Sequence, residues 1–91
     1  MASTKGKKRI VFAVEAEPQS EVAVAGTFTD WEPVPLTVKQ TDGDAKFQKL
    51  VYLPQGRYEY KFLINGRWSI DPACSVWAPN EFGTLNSVVD V

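Results

Sequence analysis

The chain contains no histidine and a single cysteine, Cys74. Without imidazole it has no ordinary general base near neutral pH, no histidine-activated nucleophile and no histidine zinc ligand. A single thiol can form neither an intramolecular disulfide nor a cysteine metal cluster. No catalytic residue, metal ligand or cofactor is therefore expected. Long apolar runs are missing too. Ile10-Val11-Phe12-Ala13-Val14 is cut short by Glu15 and Glu17, well below a signal-peptide core, and nothing approaches the ~18 apolar residues of a membrane span. No membrane partner is expected, and a cytoplasmic location is.

Charge of one sign is scarce in most of the chain. Lys5, Lys7, Lys8 and Arg9 supply four of the ten cations, so residues 10–91 carry six cations against eleven acids. A nucleic-acid binder needs a basic stripe to collect phosphates, and only the first nine residues offer one. These read as a basic, flexible tail, residues 1–9, and no nucleic-acid partner is expected. What remains, residues 10–91, suits one domain with one core. The whole chain of 91 residues is 44% hydrophobic and 12% aromatic, the profile of a globular fold with little room for a deep enzyme cleft.

Almost every segment alternates with period two. Ile10, Phe12, Val14 and Ala16 share one face of a strand over 9–17, and Pro18-Gln19-Ser20 ends it. Val22, Val24, Gly26 and Phe28 are in phase before a proline-studded loop, 29–35. Short strands are expected over 36–40 and 45–53, joined by an Asp42-Gly43 hairpin. Tyr58, Tyr60, Phe62 and Ile64 mark the core face of a strand over 57–64. Asn65-Gly66 is a second hairpin signal, followed by a strand over 67–71, an irregular stretch over 72–83 and a last strand over 84–91. No window shows a helical period. Six to eight short strands predict an all-β, antiparallel, immunoglobulin-like sandwich, with a small Greek-key barrel as the alternative.

The second hairpin raises the functional question. A two-residue primed turn at Asn65-Gly66 sets Ile64 opposite Arg67, Leu63 opposite Trp68, Phe62 opposite Ser69 and Lys61 opposite Ile70. Opposed residues share a face, so Trp68 falls on the side away from the core, diagonal to Lys61. Arg67, Ser69 and Asp71 then point toward the core, which a short ribbon at the sandwich edge tolerates. A three-residue bulged turn would invert the second strand and bury Trp68 instead. An exposed indole is a stiff apolar plate, and plates of this kind mark binding surfaces. The apolar C–H face of a pyranose stacks on indole, while its hydroxyls need donors and acceptors nearby. Bases stack as well, but the acidic body disfavours phosphate-rich ligands.

Three blocks carry a family resemblance: "VAVAGTFTDWEPVPL" (22–36), "LPQGRYEYKFLINGRWSIDP" (53–72) and "NEFGTLNSVVDV" (80–91). Their patterns G-x-F-x-x-W, Y-K-F-x-x-x-G-x-W-x-x-D-P and F-G-x-x-N resemble the glycogen-binding domains of AMP-activated protein kinase beta subunits. They also resemble the family 48 carbohydrate-binding modules found at the N-terminus of glucan branching and debranching enzymes. The likeness covers residues 10–91 and implies a β-sandwich that binds α-1,4-linked glucan. By position it implies that Trp31 and Trp68 are stacking plates, that Lys61 contacts hydroxyls, and that Thr84 and Asn86 are the polar pair of the last block. Phe82 stands where the kinase subunits have a leucine inserted against the sugar. Trp77, in "ACSVWAPNE", has no counterpart; it either extends the platform or packs under its loop.

Each of these residues also has an ordinary reading. Trp31 suits a sandwich core, Lys61 an edge strand, Thr84 any strand and Asn86 a loop cap. Glu59 and Asp71 invite an acid–base pair, but eleven acids make such pairs cheap and no cleft for glycoside hydrolysis is indicated. The expectation is a non-catalytic module for glycogen, starch or maltooligosaccharides that targets or regulates a glucan-metabolising enzyme or a kinase. The alternatives are a packing domain of a longer glycoside hydrolase or branching enzyme, and a protein-interaction sandwich.

Overall fold

A computed structural model describes residues 6–40 and 45–91; the expected Asp42-Gly43 hairpin lies outside them. Nine strands run through the described residues: β1 (Lys7–Ala16), β2 (Val22–Gly26), β3 (Val34–Pro35), β4 (Thr37–Gln40), β5 (Ala45–Pro54), β6 (Arg57–Ile64), β7 (Arg67–Ser69), β8 (Trp77–Pro79) and β9 (Leu85–Asp90). Every pairing is antiparallel. One sheet has the order β1-β5-β4; the other has the order β3-β2-β6-β9-β8, with β7 beside β6. Two separate sheets make this a sandwich, and the barrel alternative falls.

The period-two pattern survives as the core. Phe12 and Val14 of β1, Val22 and Val24 of β2, Phe47 and Leu53 of β5, and Tyr60 and Phe62 of β6 are buried together, with Ile10, Ala16, Tyr58 and Ile64 packed half-buried against them. Aromatic rings bridge the sheets. Phe12 stacks on Phe28 at 5.1 Å between centroids and meets Tyr60 edge-on at 4.7 Å, and Tyr60 meets Phe62 edge-on at 5.9 Å.

Several boundaries differ from expectation. Strand β1 reaches back to Lys7, so Lys7, Lys8 and Arg9 leave the expected tail and pair with Pro54, Leu53 and Tyr52. Ladder hydrogen bonds order this end of the strand although its alternation starts only at Ile10. The strand through Val22 and Val24 stops at Gly26, and a 3-10 turn over Thr27–Thr29 takes up Phe28. Thr29 fixes that turn: its hydroxyl accepts from the Gly26 N–H and donates to the Gly26 carbonyl, both at 3.1 Å. The stretch 72–83, expected to be irregular, contains β8, whose short pairing with β9 leaves too few residues for any periodicity to register. Together with β3, which lies inside the expected loop 29–35, this raises the strand number above the expected six to eight.

The Asn65-Gly66 hairpin has the predicted register. Ile64 faces Arg67, Leu63 faces Trp68 and Phe62 faces Ser69. Asn65 at φ 51° and Gly66 at φ 81° are both left-handed, as a two-residue primed turn requires, and the bulged alternative falls. Asp71, turned toward the core by this register, is only 9% exposed. It is satisfied there: the Tyr60 hydroxyl donates to Oδ2 at 2.7 Å, the Ala73 N–H donates to Oδ1 at 2.9 Å, and its own N–H donates to Ser87 Oγ at 2.8 Å. A buried carboxylate held this way pins β7 and β9 to β6. Burial first, and then the Asp71 hydrogen bond and charge, push the Tyr60 phenol far above its ordinary value of 10.0.

Candidate functional site

Strand β6 changes partner along one edge. Residues 57–60 pair with β9 and residues 62–64 with β7, while the other edge holds β2. Lys61 sits at this switch, on the outer face that it shares with Glu59. Trp68, opposite Leu63, lies just beyond it. On β9, Val88 faces Glu59, so Asn86, two residues before it, also lies on this outer face, opposite Ala78 of β8.

Trp31 arrives from a different element. The chain leaves β2 through the 3-10 turn, and the Trp31 N–H donates back to the Gly26 carbonyl at 2.9 Å. Asp30 and Trp31 are both left-handed, at φ 53° and 61°. A left-handed backbone costs a non-glycine residue about 1–2 kcal/mol, and strain of that kind concentrates at functional sites. Here it turns the indole outward. Trp31 is 38% exposed, so its reading as a core tryptophan is wrong.

Phe82 is presented by a tight turn between β8 and β9. The Gly83 N–H donates to the Asn80 carbonyl at 3.3 Å and the Asn80 N–H donates to the Thr84 carbonyl at 2.9 Å. At the tip Phe82 is 81% exposed. A large apolar ring so bare has almost no contact with its own fold.

All six expected residues, Trp31, Lys61, Trp68, Phe82, Thr84 and Asn86, line one open cleft of about 890 Å³ on the six-stranded sheet. Three aromatic side chains form its apolar surfaces. Between them lies a hydrogen-bonded polar wall: Lys61 Nζ donates to Thr84 Oγ1 at 2.9 Å, and Asn86 Nδ2 donates to Glu59 Oε1 at 3.1 Å. Thr84, the first residue of the expected strand 84–91, lies one residue before β9, which starts at Leu85. Asn86 is only 5% exposed, whereas Glu59 and Lys61 are half-buried and Thr84 is exposed; polar groups held in this way and flanked by apolar plates make a surface that can stack on one face of a ring and hydrogen-bond its rim.

Glu59 and Asn80 also line the cleft. On sequence alone Glu59 stands out only as half of an acid–base pair with Asp71. The two lie on opposite faces of the sheet, Glu59 in the cleft and Asp71 in the buried network with Tyr60, so that pair does not exist. Asn80 is absent from the sequence-based set although it carries a legible signal: an asparagine three residues before a glycine and ahead of a strand is a turn former through its own side chain. Trp77 does neither of the things expected of it. It faces Ser87, whose side chain belongs to the core-side network, so its indole leaves the sheet on the side away from the cleft, and at 46% exposure it is not packed under its loop.

A two-sheet antiparallel sandwich with an open aromatic cleft on one sheet defines the class: a β-sandwich binding module. Within that class the chain belongs to the family described as the glycogen recognition site of AMP-activated protein kinase, whose model matches residues 6–91. It is 35% identical over 71 residues to the 5'-AMP-activated protein kinase subunit beta-1 of Sus scrofa, a match covering 78% of this chain and 54% of that one. Against the human beta-1 subunit the identity is 32% over 71 residues, covering 78% of this chain and 24% of the relative. Against the mouse beta-2 subunit it is 32% over 77 residues, covering 84% and 27%. The chain thus spans about half the length of the relatives it matches, or less.

Proposed function

We propose that the chain is a non-catalytic module that docks on α-1,4-linked glucan, such as glycogen, starch or maltooligosaccharides. Trp31 and Trp68 stack on the C–H faces of successive glucose units, Phe82 inserts against the chain, and Lys61, Thr84 and Asn86 satisfy hydroxyls. The observation that carries this reading is the convergence of three exposed aromatics on one polar wall. Glu59 and Glu81 outnumber Lys61 in the cleft, a balance suited to a neutral polyhydroxylated ligand rather than a polyanion.

Open sites of this kind expel modest area and hold flexible ligands, so an affinity of about 10 μM to 1 mM per site is expected. Retention then depends on a polymer with many chain ends or on a tethered enzyme. The module serves as the targeting or regulatory part of a kinase or of a glucan-metabolising enzyme. A separate surface fits such a partner: on the three-stranded sheet Val11 faces Leu50 and Arg9 faces Tyr52, and all three uncharged members are more than 40% exposed. A partner docked there and a glucan in the cleft would occupy different sheets. Titration with maltoheptaose and with cellohexaose, followed by amide NMR, tests the glucan reading. Shifts at Trp31, Trp68 and Asn86 with the α-linked sugar alone are expected; no shift with either at millimolar concentration overturns it.

A further inference from the structure

Asn80 lines the cleft yet has nothing left to offer a ligand. Its Oδ1 accepts from the Phe82 N–H at 3.0 Å and from the Thr84 N–H at 3.2 Å. Its Nδ2 donates to Thr84 Oγ1 at 2.8 Å and to Asn86 Oδ1 at 2.9 Å. Both lone pairs and both hydrogens of the amide are spent.

The orientation of this amide is forced. Two backbone N–H groups can only donate, so the oxygen must face them and the nitrogen must face Thr84 and Asn86. Asn86 must then present its oxygen to Asn80, which leaves its nitrogen to the Glu59 carboxylate. Thr84 Oγ1 accepts from Lys61 Nζ and from Asn80 Nδ2, which fills both its lone pairs and leaves its own hydrogen to point elsewhere. One backbone turn thus sets the polarity of the whole wall as far as Glu59.

We infer that Asn80 is a positioning residue for the glucan site: it holds Thr84 as an obligate hydrogen-bond donor and, by fixing the direction of the Asn86 amide, orients the Glu59 carboxylate beside the ligand. This rests on the glucan reading above. The wall then offers hydrogens from Lys61 and Thr84, so the ligand atoms placed against it are oxygens acting as acceptors. The Asn86 amide gives an N–H to Glu59. Glu59 supplies the opposite polarity for a sugar hydroxyl hydrogen.

The test is Asn80→Asp. The carboxylate keeps an acceptor for both backbone N–H groups, so the turn and Phe82 stay in place, but both donors vanish. Thr84 then turns its hydrogen toward the introduced carboxylate, and the Asn86 oxygen, which loses its donor and meets a carboxylate oxygen instead, drives its amide out of the present pose against Glu59. At pH 7 the variant is expected to bind maltoheptaose about tenfold more weakly than the unmodified chain, as loss of buried hydrogen-bond polarity does, with its thermal midpoint within a few degrees. As the pH falls through the carboxylate range, the introduced group gains a proton and can donate again, so the ratio of the two Kd values narrows. Equal binding at pH 7, or a ratio that ignores pH, overturns the inference. Without ligand, the Asn86 side-chain amide signals in NMR are expected to move in the variant, and unchanged signals also overturn it. Should the unmodified chain fail to bind maltoheptaose, the glucan reading falls, and those ligand-free signals still decide the polarity of the wall.

Discussion

Replacing Trp68 by alanine separates the two roles a tryptophan can have here. The side chain stands on β7, three residues long, and is 49% exposed. A tryptophan offers roughly 250 Å² in all, so about 120 Å² of indole faces solvent and can be covered by a sugar. At ~25 cal/mol per Å² full cover is worth about 3 kcal/mol, and a stacked pyranose covers about half of it, leaving ~1.5 kcal/mol. That corresponds to roughly a 13-fold loss of affinity. A site that starts in the upper micromolar range then becomes undetectable below about 5 mM. Stability should barely move, since truncating a half-exposed side chain on an edge ribbon costs about 1 kcal/mol or less. Isothermal titration with maltoheptaose, paired with a thermal melt, measures both. Unchanged affinity would refute the stacking assignment. A collapse of the melt by tens of degrees would refute the register, because it would mean that the indole is core.

Two further substitutions probe the scaffold beneath the cleft. Gly26→Ala should destabilise the fold by about 2 kcal/mol or more, read as a lower urea midpoint, because a Cβ there would collide with the Glu59 carbonyl and lie 2.7 Å from the Phe28 ring and 2.9 Å from Tyr60 Cβ; an unchanged midpoint would show that β2 and β6 can part without cost. Tyr60→Phe should cost about 1–3 kcal/mol by leaving the buried Asp71 carboxylate one donor short. The pH dependence follows the raised phenol. Below about 10 the unfolded and folded chains both keep the Tyr60 proton and its stabilisation is fully present; as the pH rises from there toward the raised folded value the unfolded chain releases the proton first, so stability falls. Melting points recorded between pH 8 and 11 should drop less steeply in the phenylalanine variant than in the unmodified chain, and parallel slopes would remove Tyr60 as the cause.

Much of the fold was legible because its physics is local. Alternation along 10–16 and 57–64 reflects a pleat with one dry face, and the same residues form the core. Asn65-Gly66 dictates a two-residue turn through its backbone preferences, and that turn carries the register of Trp68. Legibility failed where neighbours replaced pattern. Strand β8 is too short to alternate, and β1 extends to Lys7 only because β5 is there to pair with it. Trp31 could not be placed by periodicity at all, since its direction is set by two successive left-handed residues. Only family likeness pointed to it.

From sequence alone follow the all-β class, the faces of the long strands and the absence of histidine chemistry, since each depends on residue type and spacing along the chain. The tertiary structure decided what distant segments do to one another. It brought Trp31, Lys61, Trp68 and Phe82 from separate elements into one cleft, separated Glu59 from Asp71 by the thickness of a sheet, and placed Asn80 where it spends every hydrogen bond on its neighbours. Hydrogen-bond polarity is a property of the folded network, because each donor is assigned by what its partner has already accepted, and no single residue carries that information in its position in the chain.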